Sequence, residues 1–202
     1  MFSLSEKVVL IFGGSQGMGK GAAKAVLACG GTPFLVSRSE SKLVAAANEL
    51  SPDDPSRVKY AAVDCFDDDA VEKFFESQPQ GSFHHMVCTI GESAGCSDIR
   101  GKEGFRKLKR QFELKFFAQL SPVSFGADKM ADGGSIVLTS GALSRRPGMG
   151  SSALGSANAA FEAIVKGLAN DFGPRIRVNC VSPGLTNTEM WINMPAEKVT
   201  PT

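Results

Sequence analysis

The sequence predicts an α/β protein built on an open, doubly wound parallel sheet of about six strands, with helices on both faces. Two observations support this class. Short apolar runs alternate with helical patterns along the whole chain, and the first apolar run leads directly into a glycine-rich turn. Strands that alternate with helices pair in parallel through right-handed crossovers. The 202 residues are predicted to form one domain at 1–190, followed by a short tail at 191–202.

Each element follows from its own local pattern. Apolar runs predict strands, and recurrence of apolar residues every three or four positions predicts helices. The last helix is typical, because Ala157, Phe161, Ile164 and Leu168 form one apolar stripe that can face the sheet. The predicted strands are 7–12, 32–36, 57–63, 84–88, 135–139 and 175–181, and the predicted helices are 18–29, 40–50, 68–77, 104–130 and 151–171.

Composition narrows the class of protein. The net charge is +1, so no basic field for nucleic acid is expected, and the basic residues at 106–110 are interpreted as a solvated helix face. The five cysteines form no C-x-x-C pair, and no apolar run approaches the length of a membrane span. We therefore expect reduced thiols, a cytoplasmic location and no membrane or nucleic-acid partner. The adjacent His84 and His85 have no ligand cluster nearby, so no metal is expected.

The glycine turn at 13–19 predicts a phosphate-binding loop. A buried strand, a glycine turn and a helix N-terminus together present backbone N–H groups to a phosphate. The turn also fits a P-loop pattern from Gly14 to Lys20, but Gly21 stands where that motif needs a hydroxyl for Mg²⁺. A dinucleotide ligand is therefore favoured over a nucleoside triphosphate.

A nucleophile elbow, G-x-S-x-G, is a second competing pattern. It occurs around Ser15 and again around Ser93. An α/β-hydrolase needs its acid and then its histidine after the serine, whereas both histidines precede Ser93. For Ser15 the histidine would lie on a strand directly before another loop, again in the wrong chain order. The hydrolase interpretation is therefore disfavoured.

Gly13, Gly17 and Gly19 have the G-x3-G-x-G spacing that resembles the short-chain dehydrogenase/reductase family. The resemblance strengthens later in the chain, through Gly-Gly-Ser-Ile-Val-Leu-Thr-Ser140, Ala-Asn158-Ala-Ala, the segment 176–184 and Thr188. It implies a Rossmann-like fold and an oxidoreductase that acts on a carbonyl or alcohol of a small molecule. It also implies a homodimer formed through the fourth and fifth helices.

The resemblance breaks down at the proton-transfer pair. Ser140 matches the family serine that orients the substrate carbonyl. Leu154, however, stands where the family has tyrosine, and Asn158 stands where it has lysine. Lys115 aligns with a helical asparagine of relatives and is a candidate relocated cation. A positioned general acid contributes about 10²–10⁴-fold to the reaction rate, so ordinary carbonyl reduction should be slow without this pair. Two hypotheses therefore stay open: a reductase that uses Ser140 and Lys115, or a catalytically silent NADP-binding scaffold or sensor.

Arg38 favours NADP(H) as the cofactor. It follows the second strand, where an acidic residue suits the 2′-hydroxyl of NAD and a guanidinium suits a 2′-phosphate. Asp64 resembles the family aspartate that contacts the adenine amino group. The expected cofactor contacts come from the glycine turn and from the ends of the strands: Gly13, Ser15, Gln16, Gly17, Met18, Gly19, Ser37, Arg38, Asp64, Cys88, Thr89, Gly91, Asn158, Pro183, Gly184, Thr186 and Thr188.

Two further expectations come from departures from the family pattern, and a third comes from residues that should line the substrate pocket. Relatives show Asn-Asn-Ala-Gly after the fourth strand, whereas this chain has Cys-Thr-Ile-Gly91, so the side-chain hydrogen bonds that brace the sheet there are expected to be lost. The helix and last strand that follow in relatives are not expected here, which would leave strand 175–181 as an open edge. Ile99, Met190 and Trp191 predict an apolar small-molecule substrate.

Overall fold

The computed structural model describes residues 3–188 and confirms the predicted fold class. All six strands pair in parallel in one sheet, in the order β3-β2-β1-β4-β5-β6. The strands are β1 (Val8–Phe12), β2 (Thr32–Ser37), β3 (Lys59–Ala62), β4 (Phe83–Cys88), β5 (Met130–Thr139) and β6 (Ile176–Val181). The α-helices are α1 (Gly17–Ala28), α2 (Glu40–Leu50), α3 (Asp68–Glu76), α4 (Gly101–Phe112), α5 (Ala118–Gly126) and α6 (Ser152–Phe172).

The strand order places a crevice at the middle of the sheet. The chain runs outward from β1 to β3, then returns to the other side of β1 for β4. The connections that leave β1 and β4 therefore diverge, and ligands of open α/β sheets bind at such a reversal, outside the carboxyl ends of the strands. The glycine turn that follows β1 lies at this position.

Strand β1 separates two apolar cores. Its successive side chains point to opposite faces, as the period of a strand requires. Leu10 and Phe12 pack in one buried cluster with residues of α3, α5 and α6, whereas Val9 and Ile11 pack in a second cluster with residues of α1 and α2. The prediction of helices on both faces of the sheet is thus confirmed, and β1 is packed on both faces beneath the glycine turn.

The predicted helix at 104–130 differs from the structure. The helical segment starts at Gly101, and a π-helical turn at Glu113–Phe117 separates α4 from α5. In that turn the N–H of Ala118 donates to the carbonyl of Glu113, five residues back. Pro122 lies inside α5 and has no N–H to give to the carbonyl four residues before it. Met130, predicted as the last helical residue, begins β5 instead.

Other boundaries shift less. Strand β3 is shorter than predicted, because a 3-10 turn at Pro55–Arg57 precedes it. Strand β6 lies at the edge of the sheet that the described residues form. No helix within residues 3–188 has the length and apolar character needed to cross a bilayer. The tail at 191–202, together with Met190 and Trp191, lies outside the described residues.

Candidate cofactor and active site

A cavity of about 400 Å³ opens at the carboxyl ends of β1, β2 and β4. This volume is within the usual range for small-molecule sites. Eleven of the residues predicted to contact the cofactor line its wall: Gly13, Ser15, Gln16, Gly17, Met18, Ser37, Arg38, Asp64, Thr89, Gly91 and Thr188. The structure thus brings together residues that are up to 175 positions apart in the sequence, counting from Gly13 to Thr188.

The glycine turn is folded too tightly for larger residues. Gly13 has φ of +80°, and its N–H donates to the carbonyl of Val36 at 2.9 Å. A Cβ on Gly19 would overlap the carbonyl oxygen of Gly13. Gly19 is therefore buried behind the loop, where it lets α1 approach β1 closely, and it does not line the cavity.

Arg38 lies at the rim of the cavity, where β2 ends. Its Nη2 donates to Oε1 of Glu92 at 2.8 Å, and its guanidinium carbon lies 5.8 Å from the centre of the Phe66 ring. The neighbouring Ser37 hydroxyl is buried and has no hydrogen-bond partner among residues 3–188. Lys42 adds a second cation to the wall, and its Nζ donates to Gln16 Oε1 at 3.4 Å.

Lys42, Phe66 and Glu92 were not predicted as site residues. Lys42 lies in the first turn of α2, shortly after Arg38. A second basic residue so close to Arg38 was a sequence signal for a shared site. Phe66 and Glu92 lie on other loops, and nothing in the local sequence pairs them with Arg38. Asp64 lines the same cavity, and its Oδ1 accepts from the N–H of Phe66 at 3.0 Å, so it shapes the turn that carries that ring.

The expectation that the sheet loses its brace after β4 is wrong. The Thr89 hydroxyl donates to the carbonyl of Phe12 at 3.1 Å, and the Thr139 hydroxyl donates to the carbonyl of Cys88 at 2.8 Å. Two threonines therefore tie the ends of β1, β4 and β5 together. Cys88 itself is fully buried, burial raises the pKa of its thiol well above the usual range, and it does not line the cavity.

Gln119 is a second brace that sequence reasoning missed. It is fully buried on α5, and its Nε2 donates to the carbonyls of Ile90 at 2.7 Å and Thr139 at 3.0 Å. Its Oε1 accepts from the N–H of Thr139 at 2.9 Å. The signal was a lone amide in an apolar helix. These three bonds fix the ends of β4 and β5 relative to the helical segment that carries Lys115.

Lys115 lies in the π-helical turn and extends toward the end of β5. Its Nζ lies 3.5 Å from the carbonyl oxygen of Ser140, which makes a long hydrogen bond. A Cβ on Gly91 would lie 2.7 Å from Lys115 Cδ, so glycine leaves the space that this side chain occupies. Burial lowers the pKa of Lys115 to about 8.

Ser140 follows β5 and is 3% exposed. Its hydroxyl donates to the backbone carbonyl of Asn158, on α6, at 2.9 Å. Asn158 is equally buried, and its Oδ1 has no partner among the described residues. A Cβ on Gly141 would lie 2.8 Å from Asn158 Nδ2, so the amide fits closely against the strand end. Leu154 lies one turn earlier, in the first turn of α6.

A polar cluster extends the site along α6. Glu162 lies one turn beyond Asn158 and accepts from the Ser144 hydroxyl at 2.5 Å and from Arg145 Nε at 3.1 Å. The hydrogen bond from Ser144 has the largest effect on the pKa of Glu162 and lowers it, and the bond from Arg145 lowers it further. The cluster holds the loop after β5 against α6, and thereby holds Ser140 in place.

The remaining predicted residues lie at the same end of the sheet, but outside the cavity wall. Ser140, Lys115 and Asn158 meet at the end of β5. After β6, the Pro183 carbonyl accepts from the N–H of Ala142 at 2.9 Å. The Thr186 hydroxyl donates to the carbonyl of Gly184 at 3.2 Å. Across residues 3–188, no three His, Cys, Asp or Glu side chains cluster closely enough to hold a metal ion.

A glycine turn over a cavity at the reversal of a parallel sheet defines a dinucleotide-binding α/β protein. The family model for short-chain dehydrogenases matches residues 7–198. The chain therefore belongs to the short-chain dehydrogenase family, whose members are oxidoreductases that use a nicotinamide cofactor and act on small molecules.

Two relatives match most of the chain. The chain is 27% identical over 196 residues to the short-chain dehydrogenase/reductase fsr5 of Gibberella fujikuroi, with 91% of this chain and 72% of fsr5 covered. It is 27% identical over 192 residues to the 3-oxoacyl-[acyl-carrier-protein] reductase FabG of Chlamydia muridarum, with 93% and 77% covered.

Solved structures share the fold. A short-chain oxidoreductase from Pseudomonas aeruginosa PAO1, bound to NADPH and described as containing an atypical catalytic center, is 25% identical with a TM-score of 0.82, covering 95% of this chain and 76% of that one. A short-chain type dehydrogenase/reductase from Mycobacterium ulcerans has a TM-score of 0.84 at 23% identity, with 97% and 73% covered.

Proposed function

We propose that this protein is an NADP(H)-dependent oxidoreductase that interconverts a carbonyl and an alcohol on a small molecule, with an atypical active site. The observation that carries the cofactor assignment is the unpartnered Ser37 hydroxyl beside Arg38, at the rim of the glycine-turn cavity. A buried hydroxyl without a partner is costly, and a phosphate oxygen would satisfy it.

The residues around this cavity fit the cofactor. The glycine turn has the close backbone approach that a pyrophosphate needs, and Arg38 and Lys42 supply two cations at the adenosine end. A guanidinium binds phosphate through paired N–H donors. The NADPH bound in the Pseudomonas relative supports the same preference. When bound, a nicotinamide cofactor supplies or accepts the hydride.

Lys115 and Ser140 are proposed as the catalytic residues at the nicotinamide end. Leu154 has no proton to transfer. Lys115 is a partly buried amine beside Ser140, and its pKa of about 8 leaves both protonation states accessible near neutral pH. We assign the proton at its Nζ to the substrate oxygen, while Ser140 orients that oxygen once its hydroxyl turns to it from the Asn158 carbonyl.

Finer assignments belong to the same proposal. We propose a single cofactor-binding domain at 1–190, a homodimer and a cytoplasmic location. We also propose an apolar substrate, which the 46% exposed Ile99 in the loop after β4 supports.

Steady-state assays of the purified full chain test the proposal. NADPH oxidation is measured against a panel of carbonyl compounds, with NADH as the matched cofactor. We expect substrate-dependent turnover with NADPH and at least tenfold lower efficiency with NADH. Tight NADPH binding by calorimetry with no turnover on any carbonyl would favour the scaffold or sensor instead. No binding of either cofactor at millimolar concentration would refute both.

A further inference from the structure

The Arg38–Glu92 ion pair lies in the lining of the cavity. Arg38 comes from the end of β2 and Glu92 from the loop after β4, and both line the same wall. Their closest atoms, Nη2 and Oε1, are 2.8 Å apart. A carboxylate therefore occupies part of the guanidinium surface that the proposed cofactor needs for its 2′-phosphate.

The backbone of Glu92 is fixed from the opposite side. Its N–H donates to the carbonyl of Leu114 at 3.2 Å, and its carbonyl accepts from Gln111 Nε2 at 3.0 Å. Gln111 is 1% exposed, and its Oε1 accepts from the N–H of Ala94 at 3.0 Å. One buried glutamine thus holds the loop on both sides of Ser93. The backbone from which the carboxylate extends to Arg38 is consequently held in place by a buried side chain.

We propose that Glu92 is a specificity-determining residue that competes with the cofactor 2′-phosphate for Arg38. The inference rests on the proposed NADP(H) site and deepens it. A phosphate and a carboxylate both pair with the guanidinium fork, and two anions beside one cation repel each other. Glu92 therefore weakens binding of 2′-phosphorylated cofactors. It reduces the preference for NADP(H) over NAD(H) that Arg38 alone would create.

Adenosine fragments isolate this end of the site from the chemistry. Adenosine 2′,5′-bisphosphate carries the discriminating phosphate, and adenosine 5′-monophosphate lacks it. Their affinities are measured by calorimetry on the full chain as wild type, Glu92→Gln and the control Glu103→Gln. Glu103 forms a comparable exposed ion pair with Arg106 at 2.9 Å, but it does not line the cavity. A thermal unfolding midpoint within about 2 °C of wild type shows that each variant is folded.

We expect Glu92→Gln to tighten binding of the bisphosphate by about two- to fivefold, the range of an exposed ion pair. The monophosphate should change by less than about twofold, and Glu103→Gln should change neither ligand. The same substitution in an Arg38→Met protein separates competition for the guanidinium from direct repulsion between the carboxylate and the phosphate. In Arg38→Met the same Glu92→Gln substitution should give clearly less improvement, because the shared cation is gone.

Three results would overturn the inference. The first is unchanged or weaker bisphosphate binding by Glu92→Gln. The second is a loss of monophosphate binding in that variant, which would make Glu92 a partner of the ribose hydroxyl. The third is no binding of either fragment to any form. Because the readout is fragment affinity, a protein without turnover can fail the proposed reaction and still show the competition.

Discussion

The amine of Lys115 lies 3.5 Å from the carbonyl oxygen of Ser140, and the hydroxyl of that serine is bonded to the backbone of Asn158. Two helical segments thus meet at the end of β5, one bringing a cation and the other an amide. The family resemblance places asparagine at position 115 and lysine at position 158. We propose that charge and amide have exchanged places between the two segments.

Replacing Lys115 by Met should slow turnover and stabilise the fold. The pKa of this amine is lowered from 10.5 to about 8, so at pH 7 the folded protein holds a charge that its surroundings disfavour. We expect the free energy of unfolding to rise by about 1–3 kcal/mol at pH 7. Wild type should regain part of that difference as the pH rises from 8 to 10.5. Urea denaturation at both pH values measures it, and a less stable variant would contradict the buried charge.

The pH profile of reduction tests the role of the same amine. If Lys115 gives the proton, kcat/KM should fall as the pH rises through about 8, because the ammonium is lost. Lys115→Met should remove this step and lower the rate by about 10²-fold. Lys115→Arg keeps the charge at all accessible pH values, so it should also lose the step. An identical profile in all three proteins would remove Lys115 from the mechanism.

Ser140→Ala separates a catalytic hydroxyl from a structural one. We expect turnover to fall by about 10²-fold, as for loss of a donor to a developing oxyanion, and the free energy of unfolding to fall by about 1 kcal/mol. Ser156→Ala is the control, because the Ser156 hydroxyl also donates to a carbonyl of α6, that of Ala153 at 3.0 Å. Equal kinetic losses in the two variants would assign Ser140 to structure alone.

Two glycines of α1 should respond to alanine in opposite directions. A Cβ on Gly19 would overlap the carbonyl of Gly13, so Gly19→Ala should cost about 1–3 kcal/mol and displace the glycine turn. A Cβ on Gly21 would meet nothing within 4 Å outside its own helix, so Gly21→Ala should stabilise the helix by about 0.5–1 kcal/mol. Thermal unfolding and NADPH calorimetry compare the two. Normal cofactor affinity in Gly19→Ala would show that the turn tolerates displacement.

Gln119→Leu should be strongly destabilising. It would leave the carbonyl of Ile90 and both backbone groups of Thr139 without the partners they have now, and each unsatisfied buried group costs about 1–3 kcal/mol. The exposed Gln80, which donates to the carbonyl of Asp128, provides the control substitution Gln80→Leu. That change should cost less than about 1 kcal/mol. Denaturant midpoints measure both, and similar losses would mean that water replaces the amide inside the sheet.

Sequence alone determined the features that are local along the chain. The alternation of apolar runs and helical stripes predicts the six strands, because burial of each element on the sheet requires its own periodicity. The glycine turn at 13–19 is encoded by spacing, and Arg38 is placed by its position directly after β2. Ser140 was predicted from the resemblance to the family serine, and it directly follows β5. In each case the neighbours that matter are a few residues away.

Tertiary structure alone decided which distant residues meet. Glu92 reaches Arg38 across 54 positions, Thr89 braces Phe12 across 77, and Gln119 joins the ends of two strands. The apolar periodicity predicts an uninterrupted helix at 104–130, so it did not reveal the π-helical turn that carries Lys115. Such contacts depend on how separate elements pack, and no short segment contains that information. The local pattern thus fixed the loop and the strands, while packing decided the partners of each charge and amide.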